Sequence, residues 1–246
     1  MNIYLADSSA SLRHRVSESP LTGAKILQSF YYADAWTEKI IPLLKSFMLD
    51  SGAFTFFGTG GGVIDWAEYV KKYAAFINRN DVKLFFELDI DPLIGYKNVL
   101  YYRSMLEDLT GRPCIPVWHK SRGFDEYVKM CEQYNYVAIG GIVSREITQK
   151  DYKFFTPLIS TAHKNGAKVH GLGFTNLTGL TKYHFDSVDS TAWVSGNRFG
   201  HVYKFDGKTM QKIGRQEGQR MVAQKAAALN NFLEWKKFSD WAETHL

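Results

Sequence analysis

Short apolar runs alternate with amphipathic stretches along most of this chain. Runs at 2–6, 26–30, 46–50, 83–90, 115–119, 136–142, 168–173 and 187–194 have the length and composition of strands. Between many of them the apolar residues recur every three or four positions. Over 65–77, Trp66, Tyr69, Val70, Tyr73, Phe76 and Ile77 fall on one helical face, and Asp65 and Glu68 open it in a capping-box arrangement. The stretches 98–109, 125–134 and 148–163 predict further helices, the last opening with Thr148 and Asp151. An Ala-rich helical pattern runs from 218 to 244.

Strands alternating with helices imply a parallel sheet. About eight of them, with no Gly-x-Gly-x-x-Gly fingerprint, favour a sheet closed on itself over a dinucleotide-binding fold. The expectation is a single α/β domain over 1–246, a (β/α)8 TIM-type barrel, with a basic C-terminal helical region at about 204–246. The glycine-rich loop at 58–62 lacks the Lys-Ser/Thr of a phosphate loop, so it predicts a lid or a tight connection.

Composition narrows the class. The 246 residues are 45% hydrophobic and 15% aromatic, enough for a substantial core, and 22% charged, which argues against a disordered chain. No apolar run reaches the roughly 18 residues of a membrane span. The first residues lack the basic-then-apolar order of a secretory leader, so the expected location is the cytoplasm, the host's if the chain is viral. Cys114 and Cys131 form no C-x-x-C pair and predict buried small hydrophobes, not thiolate ligands. Net charge is +5. Lys204, Lys208, Lys212, Arg215, Arg220, Lys225, Lys236 and Lys237 outnumber Asp206, Glu217 and Glu234 in the same stretch. Such a stretch suits either phosphate contacts or a solvated face.

In an α/β barrel, function gathers at the carboxyl ends of the strands. Those ends offer Asp50; Glu87, Asp89 and Asp91; His119; Gly140 and Gly141; His170 and Gly171; and, at the last strand, Asp186 and Asp189. Each has a structural alternative. Asp50 in D-S-G fits an Asx-turn, Asp91 before Pro92 fits a helix cap, Asp186 a surface turn, and His119 and His170 satisfied core residues. Taken together they describe a barrel enzyme with an acidic pocket. Two facing carboxylates suit chemistry at a sugar carbon, one attacking or stabilising an oxocarbenium-like centre and one moving a proton.

The same residues carry a resemblance. LDSGAF at 49–54, LDID at 88–91, AIGGI at 138–142, VHGLGF at 169–174 and FDSVDSTAW at 185–193 resemble, in order, motifs of the tRNA-guanine transglycosylase superfamily. The resemblance implies Asp50 as general acid/base, Phe54 stacking on the purine, and Asp89 reading its Watson–Crick edge. It also implies Gly140, Gly141, His170 and Gly171 lining the base, and Asp186 as covalent nucleophile, with Asp189 a near neighbour that competes for that role. Two departures stand out: the family's zinc cluster of three cysteines and a histidine is missing, and V-W-H at 117–119 replaces V-Q-G, leaving His119 in the place of a glutamine. The chain is thereby most similar to short, zinc-less phage-type DNA-guanine transglycosylases. That implies exchange of guanine in DNA for a 7-deazaguanine such as 7-cyano-7-deazaguanine, with no metal, cofactor or membrane. Exchange on tRNA (queuosine or archaeosine type), a non-catalytic nucleic-acid-binding partner subunit and a barrel glycosidase are the alternatives.

Overall fold

A ring of parallel strands organises the chain in the computed structural model, which describes residues 1–6, 13–14, 16–52, 55–56, 64–194, 200–214 and 224–246. The eight strands are β1 (Asn2–Ala6), β2 (Lys25–Ser29), β3 (Ser46–Asp50), β4 (Leu84–Phe85), β5 (Val117–Trp118), β6 (Tyr136–Ile139), β7 (Lys168–Gly171) and β8 (Ser187–Ser190). They pair in the order β4-β3-β2-β1-β8-β7-β6-β5. A parallel bridge between Phe86 and Ile115 joins the two outer strands, with Ile115 N–H donating to Phe85 O and Glu87 N–H donating to Ile115 O. The sheet is thus closed, and the fold is the TIM-type barrel that the strand–helix rhythm implies.

Strand alternation sorts the side chains into two layers. Tyr4, Ala6, Leu27, Met48, Phe86, Ile115, Val117 and Ala138 pack on one another inside the ring. Intervening residues such as Ile3, Ile26, Leu49, Val137 and Val169 join the larger cluster under the helices. Those helices include α1 (Glu18–Leu21), α2 (Ala35–Ile40), α3 (Trp66–Arg79), α4 (Asp91–Ile94), α5 (Tyr96–Thr110), α6 (Phe124–Gln133), α7 (Phe155–Lys164) and α8 (Leu177–Lys182). α3 starts where Asp65 accepts from Glu68 N–H. Thr148 and Asp151 make the expected reciprocal cap, but a 3-10 segment, Gln149–Phe154, precedes α7. Among the described residues no helix is long and apolar enough to cross a membrane.

The C-terminal region corrects the expectation of a helix from about 204. An antiparallel hairpin, β9 (His201–Phe205) and β10 (Met210–Gly214), comes first, and helix α9 (Gln224–His245) follows. Asp206 makes the turn by accepting from the N–H groups of Lys208 and Thr209, and Gly207 takes φ +96 there. α9 runs antiparallel to β1. Trp193, whose indole donates to Ala6 O, stacks edge-on against Phe232, Ser239 Oγ donates to Ile3 O, and Met1 N donates to Ala242 O. β9 descends along the same helix, Tyr203 N–H meeting Asn231 and Phe205 packing on Phe238 and Trp241. The hairpin turn therefore points toward the amino end of the barrel.

Candidate active site

The carboxyl ends of β3, β5, β6 and β8 build the site. α3 sets the first of them in place: Tyr73 Oη reaches Leu49 O and Phe86 O at 2.9 and 3.1 Å, and Tyr69 Oη donates to Ser51 O. Asp50 points inward from the last residue of β3, in register with Ser29. Its Oδ2 accepts from Gly52 N–H at 3.1 Å. Gly52 takes φ +77, and a Cβ there would lie 2.6 Å from both Ser29 Oγ and Tyr31 Cβ, so the backbone passes under Tyr31 only as glycine. Burial, then the charges of Asp89 and Asp189, push the Asp50 carboxyl up to about 7 against that hydrogen bond.

Asp89 follows β4, and its Oδ2 lies 3.4 Å from His119 Nε2. His119 Nδ1 is 3.0 Å from Glu146 Oε2, and Ser121 N–H donates to the other oxygen of Glu146 at 2.7 Å. Burial disfavours the imidazolium, but the hydrogen bond and charge of Asp89, helped by Glu146, raise the His119 pKa above its ordinary value. The glycine pair explains how these groups fit. A Cβ on Gly140 would stand 2.7 Å from Val117 Cγ1 and 3.0 Å from His119 Cε1, and one on Gly141, at φ +82, would meet Glu146. Beneath them, Glu87 is fully buried and pairs with Arg103 Nε at 2.6 Å and Arg122 at 3.0 Å. Arg122 also grips Asp91 through two contacts of 2.6 Å. Glu87 and Asp91 are therefore structural acids that fix the β5 loop.

Asp189 completes the acidic group. It points inward from β8, and its Oδ1 accepts from Gly173 N–H and lies 3.2 Å from His170 Nε2. His170 is wholly buried inside the ring, with Nδ1 bonded to Ser187 Oγ and its ring beside Phe86.

Three site expectations change. Asp186 precedes β8 and sits at the opposite, amino end of the barrel. There its Oδ2 accepts from Val169 N–H and pairs with His163, each at 2.8 Å. It lines a cavity of about 430 Å³ with Asn2, Tyr4 and Tyr136. A nucleoside touching Asp50 is out of its reach; Asp189, one strand-length further on, faces Asp50 instead. His170 is wholly buried below the site surface, with Nε2 on Asp189. Gly171 faces the outer layer, where a Cβ would be 3.1 Å from Phe185 and 3.2 Å from Phe174. Asp50, Asp89, His119, Gly140 and Gly141 do come together. Phe54 and the loop at 58–62 lie outside the described residues. Glu146 was invisible in the sequence, since it belongs to no motif. Among the described residues no group of three or more His, Cys, Asp or Glu is arranged to hold a metal ion.

No family model matches the chain, and no curated protein matches it. Among solved structures it is similar to the carboxyl transferase domain of Rhizobium etli pyruvate carboxylase with pyruvate, at 12% identity and TM-score 0.48. A second structure of that domain gives 11% identity and TM-score 0.45. Both alignments cover 98% of this chain but only 47% and 46% of the other, so the chain spans about half the length of these domain structures. Likeness at this level supports no conclusion about activity.

Proposed function

We propose that the chain is a base-exchange transglycosylase that replaces guanine in DNA with a 7-deazaguanine. One observation carries this reading: Asp50, poised to titrate near neutrality, and Asp189, fixed by two donors, point into the same end of the barrel. A proton carrier beside an oriented carboxylate is what a double displacement at C1′ requires. The target nucleotide is rotated out of its stack, since C1′ is blocked inside a duplex. Asp189 attacks C1′ as the C1′–N9 bond breaks, and Asp50 delivers its proton to the departing guanine. The ester between Asp189 and the sugar is then attacked by N9 of the 7-deazaguanine. That nitrogen's proton passes to Asp50, and the Asp189 carboxylate is released. Asp89 accepts from the base's amino and imino hydrogens, and Gly140 and Gly141 leave room for His119 to hold Asp89 in place. Tyr31 and Tyr32 are 42% and 43% exposed beside Gly52, a stacking surface for neighbouring unpaired bases.

The test is exchange of radiolabelled guanine into single-stranded DNA, duplex DNA and tRNA, with a search for a denaturation-stable adduct. Incorporation into DNA with an adduct on Asp189 is expected. Incorporation into tRNA alone would move the substrate to RNA. Release of free base with no incorporation would make the enzyme a hydrolase and reject exchange.

A further inference from the structure

A column of hydrogen bonds runs through the barrel interior below Asp189. Asp189 Oδ1 meets His170 Nε2 at 3.2 Å, His170 Nδ1 meets Ser187 Oγ, and Ser187 Oγ meets Tyr136 Oη. Ser187 and His170 are both wholly buried. Tyr136 ends the column at the amino-end cavity. One end of the column fixes its direction. A carboxylate only accepts, so His170 Nε2 carries the proton it shares with Asp189. In a neutral ring Nδ1 is then an acceptor, which commits the single Ser187 hydrogen to it. With that hydrogen used, Ser187 Oγ accepts from Tyr136 O–H. From Asp189 Oδ1 down to Tyr136 Oη each atom of the column has a partner, as a dry interior demands.

We propose that His170 is a positioning residue: as its Nε2–H tautomer, set by the Asp189 carboxylate and accommodated by Ser187 and Tyr136, it pins Oδ1 of Asp189 and leaves Oδ2 as the oxygen that reacts. The proposal rests on the base-exchange reading for what Oδ2 attacks, but not for the hydrogen-bond order. Two donors, Gly173 N–H and His170, converge on Oδ1, and among the described residues none falls on Oδ2. A carboxylate so held cannot swing its oxygens, and Oδ2 is left at the end of the barrel where Asp50 also points inward. Glycine at 173 belongs to the same device. Its φ is +73, and a Cβ there would collide with Val143 Cγ2, so the peptide is turned to aim its N–H at Asp189. Sequence reading placed His170 against the base; the column makes it a support for the nucleophile instead.

The test uses the full chain labelled with ¹⁵N-histidine. The His170 resonances, assigned by their loss in His170→Gln, are expected to show Nε2 protonated and Nδ1 bare across neutral pH. Asp189→Ala is expected to abolish that preference. A proton on Nδ1 of the wild-type protein overturns the proposal. A kinetic arm measures single-turnover adduct formation on guanine-containing single-stranded DNA. His170→Leu should slow it on the order of 100-fold, the loss that follows from misplacing a reacting group by about an ångström. Oligonucleotide affinity should hold, and His170→Gln, whose amide donates over a similar reach, should recover most of the rate. Equal losses in folded Gln and Leu variants overturn the positioning role. If the tautomer is as stated and the wild-type protein forms no adduct on any polymer, base exchange falls and the hydrogen-bond order stands.

Discussion

Asp50 and Asp189 both end a barrel strand, yet their surroundings give them different tasks. Asp50 is buried beside two acidic neighbours, which outweigh the backbone N–H groups of Gly52 and Ser51, so the protonated form is favoured up to about 7. Asp189 has two donors on one oxygen. The sign of the stability effect follows from linkage. The folded protein binds a proton at Asp50 that the unfolded chain has lost, over the interval from an ordinary aspartate's pKa of about 4 up to about 7. Stability therefore declines as pH rises through that window, and the penalty is fully present above it. Asp50→Asn should melt higher than wild type at pH 8, with the difference vanishing near pH 4; calorimetry at both values checks this. The same group gives base exchange a bell-shaped profile. Adduct formation needs Asp50 protonated and should fall as pH climbs past about 7, while attack by the incoming base needs it ionised and should fall below that value. Single-turnover rates for the two half-reactions, measured across pH, separate the limbs. Exchanging Asp189 for Asn should abolish adduct formation, whereas Asp186→Asn, at the far end of the barrel, should leave it near wild type. The opposite pattern in a trapping assay would reverse the assignment.

At the scale of elements, the β5 loop shows how a site is held from beneath. Glu87 serves Arg103, Arg122 and the N–H of Val117, and Arg122 in turn fixes Asp91 and stacks 4.3 Å above the Tyr96 ring. Removing one partner of such a network leaves buried charge uncompensated, which costs about 3–5 kcal/mol. Glu87→Ala should thus lower the melting temperature by on the order of 10 °C, read by thermal unfolding. Gly140→Ala probes the next layer up. Its methyl would press on Val117 and His119, an overpacking worth about 1–3 kcal/mol. It should also break the His119–Asp89 contact, so incoming-base affinity should drop more than oligonucleotide affinity in paired titrations. Motif reading located Gly140 and Gly141 as a base-lining pair. Their steric reason, room for His119 and Glu146, depends on residues brought in from the loops after β5 and β6.

Across the whole molecule, part of the basic stretch is already paired with acids of its own helix. Lys237 pairs with Glu234 and Lys236 with Asp240. Lys204 and Lys208 ride on a hairpin whose turn points toward the amino end, away from Asp50. If the proposed DNA target docks at the carboxyl end, then neutralising Lys204 and Lys208 together should leave the salt dependence of oligonucleotide binding almost unchanged. A slope reduced by about two, the count of lost phosphate contacts, would place the strand on the flank instead.

The period of the apolar residues determined the barrel: alternation within short runs and three-to-four spacing between them depend only on local geometry, and closure follows once each strand must bury both faces. Short strands and their ends were less legible, because 187–194 stops pairing after Ser190, where its hydroxyl takes up the Ala192 N–H and turns the chain. D-S-G at Asp50 and the glycine pair were legible because tight backbone paths demand particular residues. The choice between Asp186 and Asp189 was not. Two short D-S motifs three residues apart look equivalent in one dimension. A strand of four residues carries one of them across the barrel from the other, and only the tertiary fold decides which end of a strand an acid occupies.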